Sequence, residues 1–458
     1  MSSRTRRGAG LVAGVGMLIA VAAGTAGGVA AAASHSAKIG GSVSVWAEWT
    51  GAEQTQFQKV LAPFEKQTGI TVNYAGKGSG TMDTSLEAAV KGGAPPDVAL
   101  VPDPGTLDTL AHQHAIKPLG PVIGSESKNY GAAWNSLATV NGKLYGVWFK
   151  GANKNTVFYN PALFKAAGIT KAPTTWQSML KDAAALRASG TTPFSLCTDV
   201  GWPVADLWQN LYLKINGAKS YDALAAHKIK WTSSGVTKTF DLLNQLLSNQ
   251  SNLLGGTKGA LQTTYPDCVN PVFPRSGTQP TAAMVIEADF VTTQVVANSK
   301  KYHAGTTGAG GAKCTANPAQ TPCYNLFAFP TPAGDQANSG AIQGAGDVGM
   351  LLNSTPQAKA LIKYLAAPQS AAIWAKLGGF ASPNNKVPLS AYPDPVSRED
   401  ASQLVHAKAF VFSLDDLQGS WENHMWSDML ADVKSPTAAT VKSLQKTMEK
   451  QATAALGH

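Results

Sequence analysis

KLYGVWFKGANKNTVFYNPALFKAAGITKAPTTWQSMLKDAAAL, residues 143–186, decides how the chain is to be read. Residues 143–149 alternate aromatic and small side chains and predict a strand, and Thr156-Val157-Phe158-Tyr159 is a second β-prone run. Asn160 can cap a helix that has Pro161 at its first position and ends at Gly168. Thr174 or Thr175 then caps a further helix beginning at Trp176.

Upstream, GSVSVWAEW (41–49) alternates and predicts the first strand. Residues 53–67 have Phe57, Val60, Leu61 and Phe64 on one helical face, and Thr68-Gly69 stops that helix. A strand over 70–74, a helix over 81–91 and a strand from Val98 follow. This β-α-β-α-β order predicts an α/β lobe with a largely parallel sheet. Downstream, helices are expected over 202–215 and 237–247, a long Gly/Pro/Ser/Thr loop over 249–281, and a strand turning into a helix over 281–296. A Gly/Ala/Pro loop spans 305–322. Strands are expected over 324–329 and toward the end of 342–352, and helices over 355–366, 368–377, 400–410, 422–434 and 436–455.

The 458 residues suit two lobes of ordinary size better than one core. The net charge of +9 falls to +6 if Arg4, Arg6 and Arg7 leave with a signal peptide (9 − 3). No Lys/Arg cluster with interleaved aromatics points to nucleic acid. Three arginines, the uncharged run 8–29 and Ala31-Ala32-Ala33 form a secretory signal pattern over 1–33, with cleavage before Ser34. Arg6-Arg7 leaves twin-arginine export open, and a retained anchor is the other alternative. Cys197, Cys268, Cys314 and Cys323 are even in number in an oxidising compartment. Three pairings are possible. Cys314–Cys323, closing a short loop, with Cys197–Cys268 is the expected one, and zinc is a poor match to the spacing.

Catalytic motifs are scarce: there is no H-E-x-x-H, no Walker loop and no G-x-S-x-G. Gly344 to Gly349 fits G-x-G-x-x-G, but no helix opens on it, so the glycines read as a place where a ligand can approach the backbone. His112 and His114 read as surface residues. Aromatics gather at predicted strand ends and loops: Trp46, Trp49, Trp148, Trp202 and Trp421. A sugar offers apolar C–H faces and a rim of hydroxyls, so its site needs flat rings for stacking and charged or amide groups for hydrogen bonds. Core packing is the alternative for every one of these rings, and is the expected role of Trp176, Trp208, Trp231 and Trp374.

The order Y-G-V-W-x-K, then Y-N-P-x-x-F-K-x-A-G-I, then P-T-T-W resembles the extracellular solute-binding proteins of ABC importers, of the maltose- and α-glucoside-binding type. The resemblance extends to F-E-x-x-T-G-I-x-V, to the P-D-V strand containing Asp97, and over nearly the whole chain after the signal. It implies an α/β fold of two lobes with three interlobe crossings: a first lobe over 34–147 and 331–377, and a second over 148–330 and 378–458. The crossings would be the quoted stretch, the return after residues 324–329, and 378–383. Unlike lipoprotein relatives, this chain has no cysteine near the cleavage site.

The resemblance also implies a site. Hydrogen bonds would come from Glu53, Asp103, Lys150, Asp206 of W-P-x-x-D, Glu287 and Asp347. Stacking faces would be Trp49, Trp148, Trp202, Phe290 and Phe380. Asp97 is weighted below Asp103, and Asp415-Asp416 lies near the family's S-D motif. The implied partners are a carbohydrate and the importer's membrane subunits, with a monomeric, extracytoplasmic protein and no cofactor. Two other readings stay open: a secreted glycan hydrolase working through Glu287 and Asp347, and a binding protein of the same fold that serves a receptor.

Overall fold

The computed structural model describes residues 38–78, 80–305, 314–317, 319–417 and 422–456. The expected signal peptide, half of the 305–322 loop and Trp421 lie outside them.

Strand β1 (Ser42–Ala47) is followed by α1 (Gly51–Thr68), β2 (Thr71–Gly76), α2 (Met82–Lys91), β3 (Val98–Val101) and α3 (Pro104–His112). Phe57, Val60, Leu61 and Phe64 of α1 are buried as their spacing predicts, and Gly69, at φ 71°, closes the helix in the left-handed region. β1 pairs in parallel with β2 and β3. Asp97 ties the start of β3 to β1, accepting from the Ser44 N–H and Oγ at 2.8 Å each.

Short helices and a two-stranded ribbon lead to β4 (Gly146–Asn153), β5 (Thr156–Tyr159), α4 (Pro161–Ala166), α5 (Trp176–Ala188) and β6 (Thr192–Phe194). Asn160 caps α4 through its side chain, and Thr175 forms a reciprocal capping box with Ser178 on α5. α6 (Trp202–Ala225) runs past the expected end near Ile215, bending at Gly217. Next come α7 (Ser234–Leu247), β7 (Ala282–Ile286), α8 (Val291–Asn298) and β8 (Cys323–Ala328). The expected loop 249–281 holds short helical turns and is pinned by the Cys197–Cys268 disulfide; Cys314–Cys323 is the second.

The return strand β9 (Ala341–Leu351) pairs antiparallel with β3 and β4, so the first sheet is mixed rather than wholly parallel. α9 (Pro356–Ala366), α10 (Pro368–Ala375) and α11 (Pro395–Val405) follow, then β10 (Ala409–Phe412), α12 (Glu422–Lys434) and α13 (Ala438–Leu456). β10 replaces the helix end expected at 409–410 and pairs in parallel with residues 341–344 of β9. The first sheet runs β10-β9-β3-β1-β2 with β4 also on β9. The second has β5 between β8 and β7, with β6 on the outer side of β7.

Each sheet has its own hydrophobic core. Trp49, Phe57, Phe149 and Trp374 sit in the first, and Trp176, Trp208, Trp231 and Phe240 in the second. The segment expected to enter the second lobe at residue 378 instead straddles the junction. Phe380 and Ala401 pack in the first core and Val396 behind the second sheet, while Leu414 is in the second core. The cause is β10, whose pairing with β9 holds the chain at the junction until about residue 412.

Candidate functional site

β4 and β9 run side by side through the junction, with Gly344 opposite Asn153, Gly346 opposite Gly151 and Asp347 opposite Lys150. A Cβ at position 346 would lie 2.5 Å from the Lys150 carbonyl oxygen. Glycine therefore lets the strands approach and sets Asp347 beside Lys150; a bulge follows between Asp347 and Val348. β4 thus serves both lobes, with Lys150 near its middle and Lys154 just past its end.

Lys150 is buried and donates to Glu53 Oε1, in the first turn of α1, at 2.6 Å. Its ammonium lies 5.3–5.6 Å from the rings of Trp374, Phe290 and Trp49. Burial works against its charge, but Glu53, Asp347 and Asp289 outweigh it and hold the ammonium above the usual lysine range. Burial pushes the Asp347 carboxyl up to about 6, against the pull of Lys150. Burial, with Asp347 next, raises Glu48, which lies within hydrogen-bonding reach of Asp347. Burial takes Asp83 to about 7.

Lys154 bonds Asp206 at 2.9 Å and stands 3.7 Å from Asp416, its ammonium 5.7 Å from the Trp202 ring centre. Asp206 also accepts from Gln343 Nε2 at 2.9 Å, and the Lys154 carbonyl accepts from Asn210 Nδ2 at 2.8 Å. Helix α6, β9 and the end of β4 are therefore joined by one buried polar network. Burial raises Asp206 to about 7 despite Lys154.

Between the lobes lies a cavity of about 560 Å³, in the size range of small-molecule sites. Among the described residues, six carboxyls (Glu48, Glu53, Asp83, Asp267, Asp347, Asp416) and three cations (Lys150, Lys154, Arg275) line it. On the second-lobe side, Trp202, Tyr265 and Phe290 form a ring cluster with centroids 4.9–6.1 Å apart, and Trp426 lies on the lining too. Gly201, at φ 97°, precedes Trp202; a Cβ there would lie 2.7 Å from the Trp426 carbonyl oxygen. That close approach brings Trp202 and Trp426 to the same wall. Thr293 Oγ1 of α8 bonds Gln56 Oε1 of α1 at 3.3 Å, so the lobes touch across the cavity.

The structure brings together Glu53, Lys150, Trp202, Phe290 and Asp347 of the expected set on this lining. The others sit elsewhere. Trp49 is 1% exposed, with its ring 4.7 Å from Phe57 and 4.8 Å from Trp374, behind Lys150 and not on the wall. Trp148 packs on Trp134 and Phe412 and donates to the Trp134 carbonyl at 2.6 Å, because the inner face of β4 turns it into the core. Phe380 stacks on Trp374. Asp103 is fully buried as the cap of α3, accepting from the Gly105 N–H at 2.7 Å and Thr106 Oγ1 at 3.0 Å. Asp206 belongs to the junction network. Glu287 is buried with a carboxylate oxygen within 4.8 Å of the Cys197 and Cys268 sulfurs, off the lining, and burial raises it well above the carboxylate range. Trp46 faces Lys77, 3.5 Å from its ring centre, and is also off the lining.

Glu48, Asp83, Lys154, Tyr265 and Trp426 line the cavity and were absent from the expected set, and Asp416, noted only as lying near the family's S-D motif, lines it too. Two had a readable signal. Tyr265-Pro266 lies just before Cys268, which pins its loop, and Lys154 is a second lysine in an otherwise buried strand run. Trp426 carries none, because its helix reads as an ordinary amphipathic closing helix.

Two mixed lobes, paired crossing strands and an interlobe cavity of carboxyls and rings are the architecture of two-lobed binding proteins. Residues 48–265 match the family model of bacterial extracellular solute-binding proteins. The chain is 29% identical over 381 residues, 82% of this chain and 84% of the relative, to the osmoprotective compounds-binding protein of Synechocystis. It is 25% identical over 420 residues, 88% and 85%, to the α-glucosides-binding periplasmic protein of Rhizobium meliloti. Among solved structures, the bacterial solute receptor AcbH, described with an exclusive preference for β-D-galactopyranose, has the same fold. It shows TM-score 0.77 and 21% identity over 91% of this chain and 99% of that one. The GacH receptor of Streptomyces glaucescens, described in complex with acarbose, gives TM-score 0.72 and 14% identity over 92% and 99%. Among the described residues no helix is long and apolar enough to cross a membrane.

Proposed function

We propose that this protein captures a carbohydrate or sugar-like polyol in the interlobe cavity and delivers it to an ABC importer outside the cytoplasmic membrane. The observation that carries the reading is the cavity wall itself: the Trp202, Tyr265 and Phe290 rings on one side, and Glu53, Lys150 and Asp347 on the other. Rings cover the apolar faces of a sugar, and charged groups bond its hydroxyls. The named ligands of the two curated relatives, osmoprotective compounds and α-glucosides, support the same class. Capture follows from two lobes joined by β4 and β9: a solute touching both walls favours the closed arrangement by its extra contacts there.

Glu287 is off the lining, so the carboxylate pair that cleavage would use has no support, and binding without chemistry is the reading favoured. A thermal-shift screen with galactose, maltose, raffinose, chitin oligosaccharides and glycosylated polyols tests it. At about 100 times its dissociation constant a ligand adds roughly 2.7 kcal/mol, a rise of a few degrees in Tm. The expected result is a shift for one sugar class, with the sugar recovered intact by chromatography. Cleaved sugar would replace this reading with the hydrolase, and no shift across the panel would remove the carbohydrate.

A further inference from the structure

On the first-lobe side of the cavity the charges do not balance. Glu48 after β1, Glu53 on α1, Asp83 on α2 and Asp347 on β9 bring four carboxyls, against the single ammonium of Lys150. That ammonium is already bonded to Glu53 at 2.6 Å. Asp347 lies on the lining and is 4% exposed, with Glu48 and Trp49 in reach of its carboxyl, and its buried Oδ1 makes no hydrogen bond of good geometry. Asp83 Oδ1 is likewise buried without a partner. Around Lys154 the balance differs: the ammonium is shared by Asp206 and Asp416, although Asp416 Oδ2, at 3.7 Å from it, makes no hydrogen bond, and Arg275 is an exposed second cation on the lining. Short of a cation, burial holds Glu48, Asp83 and Asp347 toward their protonated forms, and a cation that reaches them offsets the cost of ionising them. Across the cavity stand the faces and edges of Trp202, Tyr265 and Phe290. Aromatic rings opposed to carboxylates are the surroundings that favour an organic cation over a neutral group of the same shape.

We propose that the solute carries a protonated nitrogen on its sugar or polyol frame, seated against Asp347, Glu48 and Asp83 with its carbon skeleton on the Trp202–Tyr265–Phe290 wall. The proposal rests on the carbohydrate reading and narrows it to amino sugars and amine-bearing polyols. Lys150 then has a second use: by neutralising Glu53 it leaves the remaining carboxyls to the ligand, and its own charge keeps the amine from sliding toward α1.

Calorimetric titration at pH 7 tests this with matched probes: glucosamine, galactosamine and their β-linked dimers, each against its N-acetyl form and its parent hydroxyl sugar, with choline and putrescine alongside. The expected result is binding of an amine at least tenfold tighter than both neutral counterparts. D347N should cut that preference to less than threefold while the melting curve stays cooperative. E48Q should weaken it in the same direction, so that one ill-folded variant does not decide the matter. A neutral sugar that binds as tightly as its amine overturns this inference and leaves the carbohydrate reading intact. Choline or putrescine binding with every sugar silent, neutral or amine, overturns the carbohydrate frame. Silence toward the whole panel overturns both.

Discussion

Lys150 and Lys154 leave the same crossing strand four residues apart, and each is buried against carboxyls and a tryptophan. Their surroundings teach different things. Lys154 closes a network that draws α6, β9 and the end of β4 to one point through Asp206, Gln343 and Asn210. Asp206 lies off the cavity lining, while Asp416 reaches it. Lys150 meets Glu53 directly at the cavity's edge, and its strand neighbour Asp347, also on the lining, keeps one buried oxygen without a hydrogen bond. The first lysine serves the site and the second holds the lobes' junction, so identical chemistry on one strand separates by whether the carboxyls around it are already occupied.

The comparison breaks first, and most heavily, at Lys154. K154M leaves Asp206 and Asp416 buried without their cation and should cost roughly 3–5 kcal/mol in denaturant unfolding at pH 8. The loss should shrink at pH 5, where Asp206, raised to about 7, takes up a proton. An equal loss at both pH values would show that Lys154 acts through packing and not charge.

W202A should act on binding as well as on folding. Truncating a ring on the cavity wall should weaken the solute by roughly 2 kcal/mol, about 30-fold, measured by calorimetry against the sugar found in the thermal-shift screen.

D347N sharpens the difference through pH. Asp347 has a folded value of about 6, above its ordinary 3.8. The folded state therefore holds the extra proton between those values, and this group's contribution to stability falls as pH rises from about 4 to about 6. Removing the charge should raise stability at pH 8 by about 3 kcal/mol, and by little at pH 4. A loss at pH 8 would mean that Lys150 needs Asp347 as well as Glu53. The smallest effect lies far from the site: T175A, which deletes the capping box of α5, should cost about 1 kcal/mol in unfolding and nothing in binding.

Much of this arrangement was legible because local rules fix it. The α1 face of Phe57, Val60, Leu61 and Phe64, the Asn160 and Thr175 caps and the Gly69 stop are each decided within a few residues. The site was legible in part. Lys150 and Trp202 lie in runs whose order is distinctive, and both reach the cavity. Trp49, Trp148 and Phe380 were misplaced because a strand end or crossing says where a residue sits along the chain, whereas packing decides which way its ring turns. Asp103 went astray for a related reason: a carboxylate before a helix reads equally as ligand or cap, and the Gly105 N–H settles it as a cap. Glu48, Tyr265 and Trp426 arrive on the wall only through long-range closure, from three segments far apart in sequence. The pairing of β10 beside β9 is non-local in the same sense, and it moved the expected boundary at 378.

The measurement that bears most directly on the central claim is calorimetric titration of the wild-type protein and W202A, side by side, with each sugar that raises the wild-type Tm. One-to-one binding by the wild type is expected, weakened about 30-fold in W202A, with both proteins unfolding cooperatively and W202A at a lower temperature. Equal affinity in the two proteins would place the solute outside the interlobe cavity and contradict the account.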